Sequence, residues 1–176
     1  MQADQAEFLR DLLLTAGEDE AKTTRRVLAA SPAEQGGYAP HPASTPALDL
    51  AWHIASSQVW FYNGVAAGSF PAGEGTRPAE IQTPADVVAW YDSNRPPAVE
   101  KVKALSGEQL ARTINFYGVL QLPAAMYLTL EMNHTIHHRG QLSAYLRPMG
   151  AKVPSIYGGS ADEPFEAPPA EAAAKA

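Results

Sequence analysis

Apolar residues recur at helical spacing near the start of the chain, at Phe8, Leu9, Leu12, Leu13, Ala16, Val27 and Leu28, with Pro32 just beyond. That spacing predicts one amphipathic helix over residues 3–30, opening near Asp4 and stopping before the proline. Gly17 lies inside it at a cost of about 1 kcal/mol relative to alanine. A stretch rich in glycine, proline and serine follows, from Gly36 to Pro46. Thr45 and Pro46 then form a cap-and-proline start for a second helix that reaches about Val65. Residues 66–82 have glycine or proline at short intervals and no period, so they predict a surface connection. Thr83, Pro84 and Asp86 repeat the start signal for a third helix. Pro96 and Pro97 interrupt its apolar spacing, which predicts a kink or break near Arg95.

Ser106 and Gln109 have the spacing of a capping box and predict one short helical turn. Residues 115–118 (Asn-Phe-Tyr-Gly) read as a turn or irregular piece. Pro123 is expected to open a fourth long helix that ends around Pro148 to Gly150. No run alternates convincingly as a strand. Four long helical patterns predict an all-α protein, a four-helix bundle with two connections long enough for crossovers. In the C-terminal segment Ile156, Tyr157 and Phe165 are candidates to dock on the bundle. The domain is expected to span residues 1–166, with 167–176 a disordered tail rich in alanine and proline.

Composition narrows the function classes. The 176 residues suit one domain, and 45% hydrophobic with 18% charged residues is enough to build a core. Thirteen Lys and Arg against nineteen Asp and Glu give a net charge of −6, which opposes an electrostatic grip on nucleic acid or an anionic membrane. Cysteine is absent, so thiolate metal sites and cysteine nucleophiles are excluded and any metal must rest on His, Asp or Glu. The charged N-terminal segment lacks the apolar core of a secretory signal, and no transmembrane stretch follows. A cytoplasmic location is the expectation.

The five histidines are at 41, 53, 134, 137 and 138. On a helix His134 and His138 lie about 40° apart, one turn from each other, the spacing by which a helix offers two nitrogens to one metal. His134 with His137 could also chelate. The pair His134 and His138 is preferred because its face continues through Tyr127, Glu131, Gln141 and Tyr145, a polar and aromatic stripe where a core would be apolar. His53, within an apolar stretch of helix two, is the third candidate. Three neutral imidazoles would leave open positions on a divalent ion, as catalytic sites do. Asp49 and Glu131 are candidates to orient an imidazole or to add a ligand. His41, between two prolines, reads as a solvated loop residue, Trp60 as core packing, and Arg139 as a surface ion-pairing residue.

The block from His134 through His-His-Arg-Gly-Gln to Arg147, with Leu50-Ala-Trp-His53-Ile-Ala upstream, resembles the DinB family of the DinB/YfiT-like metalloenzyme superfamily. Val153-Pro-Ser-Ile-Tyr-Gly158 and Ala161-Asp-Glu163 resemble the ending of many members, so the likeness covers about residues 5–165. The resemblance implies an up-up-down-down four-helix bundle, commonly dimeric, with a divalent metal on His53, His134 and His138. His137 becomes a neighbour of the ligands. Relatives of this kind include transferases that use low-molecular-weight thiols, a thiol-dependent isomerase and hydrolase-like proteins.

The leading expectation is therefore a zinc or nickel enzyme acting on a small molecule, with any thiol supplied as a cosubstrate. The alternative is a non-catalytic stress-response or dimeric binding module whose metal is structural or absent. The site chemistry leaves zinc and nickel unseparated.

Overall fold

The computed structural model describes residues 1–72 and 75–165. The expected boundary at 166 and the tail 167–176 lie outside the described residues. Among the described residues the fold is mostly helical, with five helices and one small two-stranded sheet. The helices are α1 (Ala3–Ala29), α2 (Ala47–Ala67), α3 (Pro84–Lys103), α4 (Gly107–Ala111) and α5 (Met126–Leu146). A single 3-10 turn spans Ala33–Gln35.

Local chemistry sets most of these boundaries. Thr83 caps α3 by accepting from the Asp86 N–H while Asp86 returns to the Thr83 N–H, and Ser106 with Gln109 does the same for α4. Pro46 is the N-cap of α2 and its first helical residue is Ala47, one position later than predicted. The helix ends at Gly68, whose φ of 72° is the left-handed cap that glycine adopts without a Cβ penalty.

Three expectations fail. Helix α3 passes through Pro96 and Pro97 without a break. Both prolines are exposed, as are Asp92 and Ser93 four residues earlier, so water can satisfy the carbonyls left without a helical donor. Burial of Tyr91 and Arg95 before the prolines and of Ala98, Val99 and Val102 after them anchors both halves, so the break is not formed.

The second failure is the missing strand. Thr113–Phe116 (β1) and Leu120–Pro123 (β2) pair antiparallel, Phe116 opposite Leu120, around a turn with positive φ at Tyr117 and Gly118. Pro123 therefore ends a strand and does not open a helix. The Ala124 N–H donates to the Arg112 carbonyl and the Ala125 N–H to the Leu110 carbonyl, which postpones α5 to Met126.

The third concerns helix direction. Helix α1 meets α3 and α5, and α2 meets the same two. Arg25 pairs with Asp92, Arg95 with Glu18, and Arg10 with the Leu105 carbonyl, so α1 and α3 are antiparallel. Trp52 packs on Trp90 and Asn63 accepts from Lys101, so α2 and α3 are parallel. His53 faces His138 while Gln58 faces Glu131, so α2 and α5 are antiparallel. The order along the chain is thus up-down-down-up, in place of up-up-down-down. One connection, Gly68–Thr83, must run the length of a helix. An extended chain of that size reaches roughly 50 Å against about 30 Å of helix, so one crossover suffices.

The core is two apolar clusters stacked along the helices. One gathers Leu28, Trp52, Ile54, Leu142, Tyr145 and Leu146; the other gathers Leu14, Phe61, Val65, Val102, Tyr127 and Leu128. Burying an aliphatic side chain such as Ile54 or Leu142 stabilises the fold by about 1.5–3 kcal/mol. Between the clusters, facing positions of α2 and α5 carry polar side chains. In the C-terminal segment Ile156 packs on the first cluster, whereas Phe165 is 75% exposed and does not dock. The Tyr157 hydroxyl reaches Glu20 and accepts from Arg139. Arg139 itself is not a surface residue: it is 1% exposed and paired with Glu20 at 2.6 Å. Among the described residues no helix is long and apolar enough to cross a membrane.

Candidate metal centre

His53 lies in the second turn of α2, between buried Trp52 and Ile54, which fix the rotation of the helix. His134 and His138 are one turn apart on α5, where buried Thr135 and Leu142 fix the facing side. Each imidazole is half-buried. The two helices bring the His53 and His134 Nε2 atoms within 3.2 Å, and the His138 ring centre lies 4.6 Å from that of His53 and 4.4 Å from that of His134. One nitrogen from each of the three rings falls within 4.8 Å of the others.

This donor set fits a divalent cation. Nitrogens that each sit about 2.0–2.1 Å from one ion can be no more than about 4.2 Å apart. The 3.2 Å between the His53 and His134 Nε2 atoms satisfies that limit, and the 4.8 Å bound on the full set leaves a few tenths of an ångström at most for ring rotation to close. The far side of two rings is held by oxygen. Ser57 Oγ lies 3.3 Å from His53 Nδ1, and Gln141 Oε1 lies 3.1 Å from His138 Nδ1. Nδ1–H donating to these oxygens leaves the Nε2 lone pairs free, which is how neighbours of metal-binding histidines commonly set the tautomer. His134 Nδ1 is the exception, buried without a hydrogen-bond partner.

Charge state points the same way. Burial, reinforced by the adjacent imidazoles of His138, His53 and His137, lowers the His134 pKa to about 4. Burial, with His138 beside it, lowers that of His53 too. Both rings are therefore neutral near pH 7, the form that binds a metal.

The remaining candidates occupy different surroundings. Asp49 holds the Arg77 guanidinium at 2.7 Å at a partly exposed position, so it does not orient His53 in this structure. Glu131 is 2% exposed and accepts from Gln58 Nε2 at 2.6 Å and Thr135 Oγ1 at 2.9 Å. Burial raises its pKa, against the opposing pull of Gln58, Thr135, Tyr62 and Arg95. His137 is exposed, its ring 4.8 Å from that of His138. His41 is an exposed loop residue whose Nδ1 accepts from the Ala43 N–H. Gln141 belongs to the stripe read from the sequence. Ser57 was not singled out there, although its position four residues after His53 was the signal.

A cavity of about 240 Å³ opens beside the cluster, lined by His53 and His134 together with Ser56, Ser57, Trp60 and Phe61. Trp60 is therefore a wall of this space as well as a packing residue. Behind it, Gly64 lets Phe70 approach: a Cβ there would lie 2.3 Å from the phenyl ring. Three imidazoles beside a cavity, with the nearby carboxylates engaged elsewhere, can bind a cation and leave room for a second ligand.

Comparison with known proteins places this arrangement in context. Two uncharacterized proteins of Bacillus subtilis (strain 168) are similar in sequence. YjoA is 30% identical over 115 residues, covering 64% of this chain and 73% of its own length. YrdA is 31% identical over 116 residues, covering 65% and 67%. The crystal structure of the DinB-like YjoA superposes with a TM-score of 0.65 at 24% identity, covering 85% of this chain and 96% of that one. A DinB-like protein from Bacillus cereus ATCC 10987 gives a TM-score of 0.70 at 23% identity, covering 82% and 95%. With residues 4–167 matching the DinB family as a whole, on a fold shared with DinB-like structures, the chain belongs to the DinB family.

Proposed function

We propose that this protein is a metal-dependent enzyme in which His53, His134 and His138 hold zinc or nickel and a small molecule reacts in the adjoining cavity. The convergence of three imidazoles beside that cavity, two of them held neutral by burial, is the observation that carries this reading. A bound divalent ion would supply Lewis acidity, lowering the pKa of a thiol or water near neutral pH. The chain's own residues do the rest. Ser57 and Gln141 orient the imidazoles, and Trp60 and Phe61 shield one side from water.

The reaction class we favour is thiol transfer, with hydrolysis as the variant in which water replaces the thiol. The sulfur of a low-molecular-weight thiol forms the new bond to an electrophilic carbon, its proton passes to solvent, and the leaving group departs with its electron pair. The chain has no cysteine, so that thiol is a cosubstrate. A homodimer and a cytoplasmic location belong to the same proposal. Exposed Phe8 and Leu12, one turn apart on α1, support a second copy as partner, and sedimentation of the wild type against Leu12→Lys tests it.

Metal content decides the first step. Purified wild type should carry close to one zinc or nickel per chain and His138→Ala far less; equal content in both would sink the assignment. Screening the loaded protein with several thiols and a model electrophile, alongside an activated ester, then separates transfer from hydrolysis. Salt-sensitive DNA binding at physiological ionic strength would argue for a different function altogether.

A further inference from the structure

The space beside the histidines is small for its proposed task. Pockets that take small organic ligands usually enclose about 300–1,000 Å³. The histidine cavity, at about 240 Å³, falls below that range. A second cavity of about 390 Å³ adjoins it. Ser56 and Trp60 line both, so the two meet along the same edge of α2.

Their linings differ in kind. The first presents imidazoles and the serine hydroxyls. The second is walled by Val59, Trp60, Ala67, Pro71 and Trp90, with Ser56 and Asn63 as its polar members, and spans twelve residues of α2 from Ser56 to Ala67, about 16 Å of helix. A groove of this composition gains by covering apolar surface, at about fourfold in affinity for each methylene fully removed from water.

We infer that the ligand of the histidine site is amphipathic: a polar reacting head at His53, His134 and His138, joined to an apolar limb that lies over Trp60 into the groove between α2 and Trp90. This rests on the reading of the histidines as a metal site and adds the substrate class. Trp60 is the hinge point of the arrangement, touching head and limb alike.

A pair of hydroxamic acids tests it, because both carry the same metal-binding head and differ only in the limb. Metal content is measured first, on wild type and on Ala67→Trp, which fills the far end of the groove without touching a histidine. Each is then titrated calorimetrically with acetohydroxamic and dodecanohydroxamic acid, the limb of the second being long enough to run from the histidines to the far end of the groove. The longer acid should bind wild type at least about tenfold more tightly and with a more negative heat-capacity change. Ala67→Trp should lose most of that gain and keep its affinity for the shorter acid.

Equal affinities on wild type, or a gain that survives Ala67→Trp, would overturn the inference while the metal site stands. Failure of both acids to bind a metal-loaded chain would overturn it as well. A chain that takes up no metal would remove the reading on which it rests, and that result appears before any hydroxamate is added.

Discussion

The cluster around Gln58 and Glu131 and the cluster of three histidines are neighbours on α2 and α5, yet their hydrogen-bonding capacity is used in opposite ways. Gln58 and Glu131 are each 2% exposed and every contact closes on the protein. Gln58 donates to Glu131 and accepts from the Tyr91 hydroxyl and from Arg95 Nε, while Arg95 reaches on to Glu18 and the Gly17 carbonyl. The histidines are half-buried, His53 and His134 line a cavity and present Nε2 atoms to each other, and His134 Nδ1 has no partner. A buried polar group without a partner costs about 1–3 kcal/mol. The closed cluster avoids that cost and so serves the fold. The open one retains it at His134 Nδ1, so its rings are not arranged for the stability of the fold alone.

Exchange experiments should separate the two. Removing a histidine should have the largest effect, and only on metal. His138→Ala is expected to weaken zinc or nickel affinity by at least about a hundredfold, beyond the usual loss from removing an orienting neighbour. Urea unfolding of the metal-free form should barely change, because the ring is half-exposed. Unfolding at much lower urea with metal affinity intact would reverse the assignment of roles.

Next comes the closed cluster. Glu131→Ala leaves Gln58 Nε2 and the Thr135 hydroxyl without their acceptor in a dry interior, and should cost about 2–4 kcal/mol in urea unfolding. Metal stoichiometry at saturation should stay at the wild-type value. A smaller effect lies between the clusters. Ser57→Ala removes only the oxygen near His53 Nδ1, so metal affinity should fall by about tenfold, and replacing Gln141 by Ala should act alike. Unchanged affinity in both would mean that the imidazoles are held by packing alone.

The sequence and the structure agree where a signal is local. Cap residues at Thr83 and Ser106 marked helix starts, and the i, i+4 spacing of His134 and His138 put both on one face without tertiary knowledge. The exceptions arose where packing overrode a local signal or where the local signal was weak. Pro96 and Pro97 read as a break because a proline removes a hydrogen bond. Whether that loss matters depends on exposure, which burial of Tyr91 and Val99 on either side determines. The β1–β2 hairpin was hidden because its strands are four residues each and its turn places a tyrosine, not only a glycine, at positive φ. Glu131 shares a face with the histidines by periodicity. Its actual partner, Gln58, comes from another helix, and only packing reveals it.

The finest test of the contrast is a change of charge without a change of shape. Glu131→Gln keeps an oxygen that can accept from Gln58 and Thr135 but removes the ionisable carboxyl. The elements packed around that carboxyl contribute Gln58 and Tyr62 from α2, Thr135 from α5, and Tyr91 and Arg95 from α3, with Glu18 of α1 on the far side of Arg95. Burial raises both tyrosine pKa values, so the rings stay neutral and Arg95 is the nearest fixed charge. Because burial raises the Glu131 pKa above its unfolded value, the folded chain holds the proton more tightly than the unfolded chain. The stability this contributes is present in full below the unfolded pKa, about 4.5, and is lost as pH rises through the folded value. Near pH 4.5, therefore, metal-free wild type and Glu131→Gln should unfold within about 1 kcal/mol of each other. The difference should shift in favour of the variant as pH rises, then level off. A difference that moves the other way would mean that Arg95 outweighs burial and that this cluster works as an ion pair.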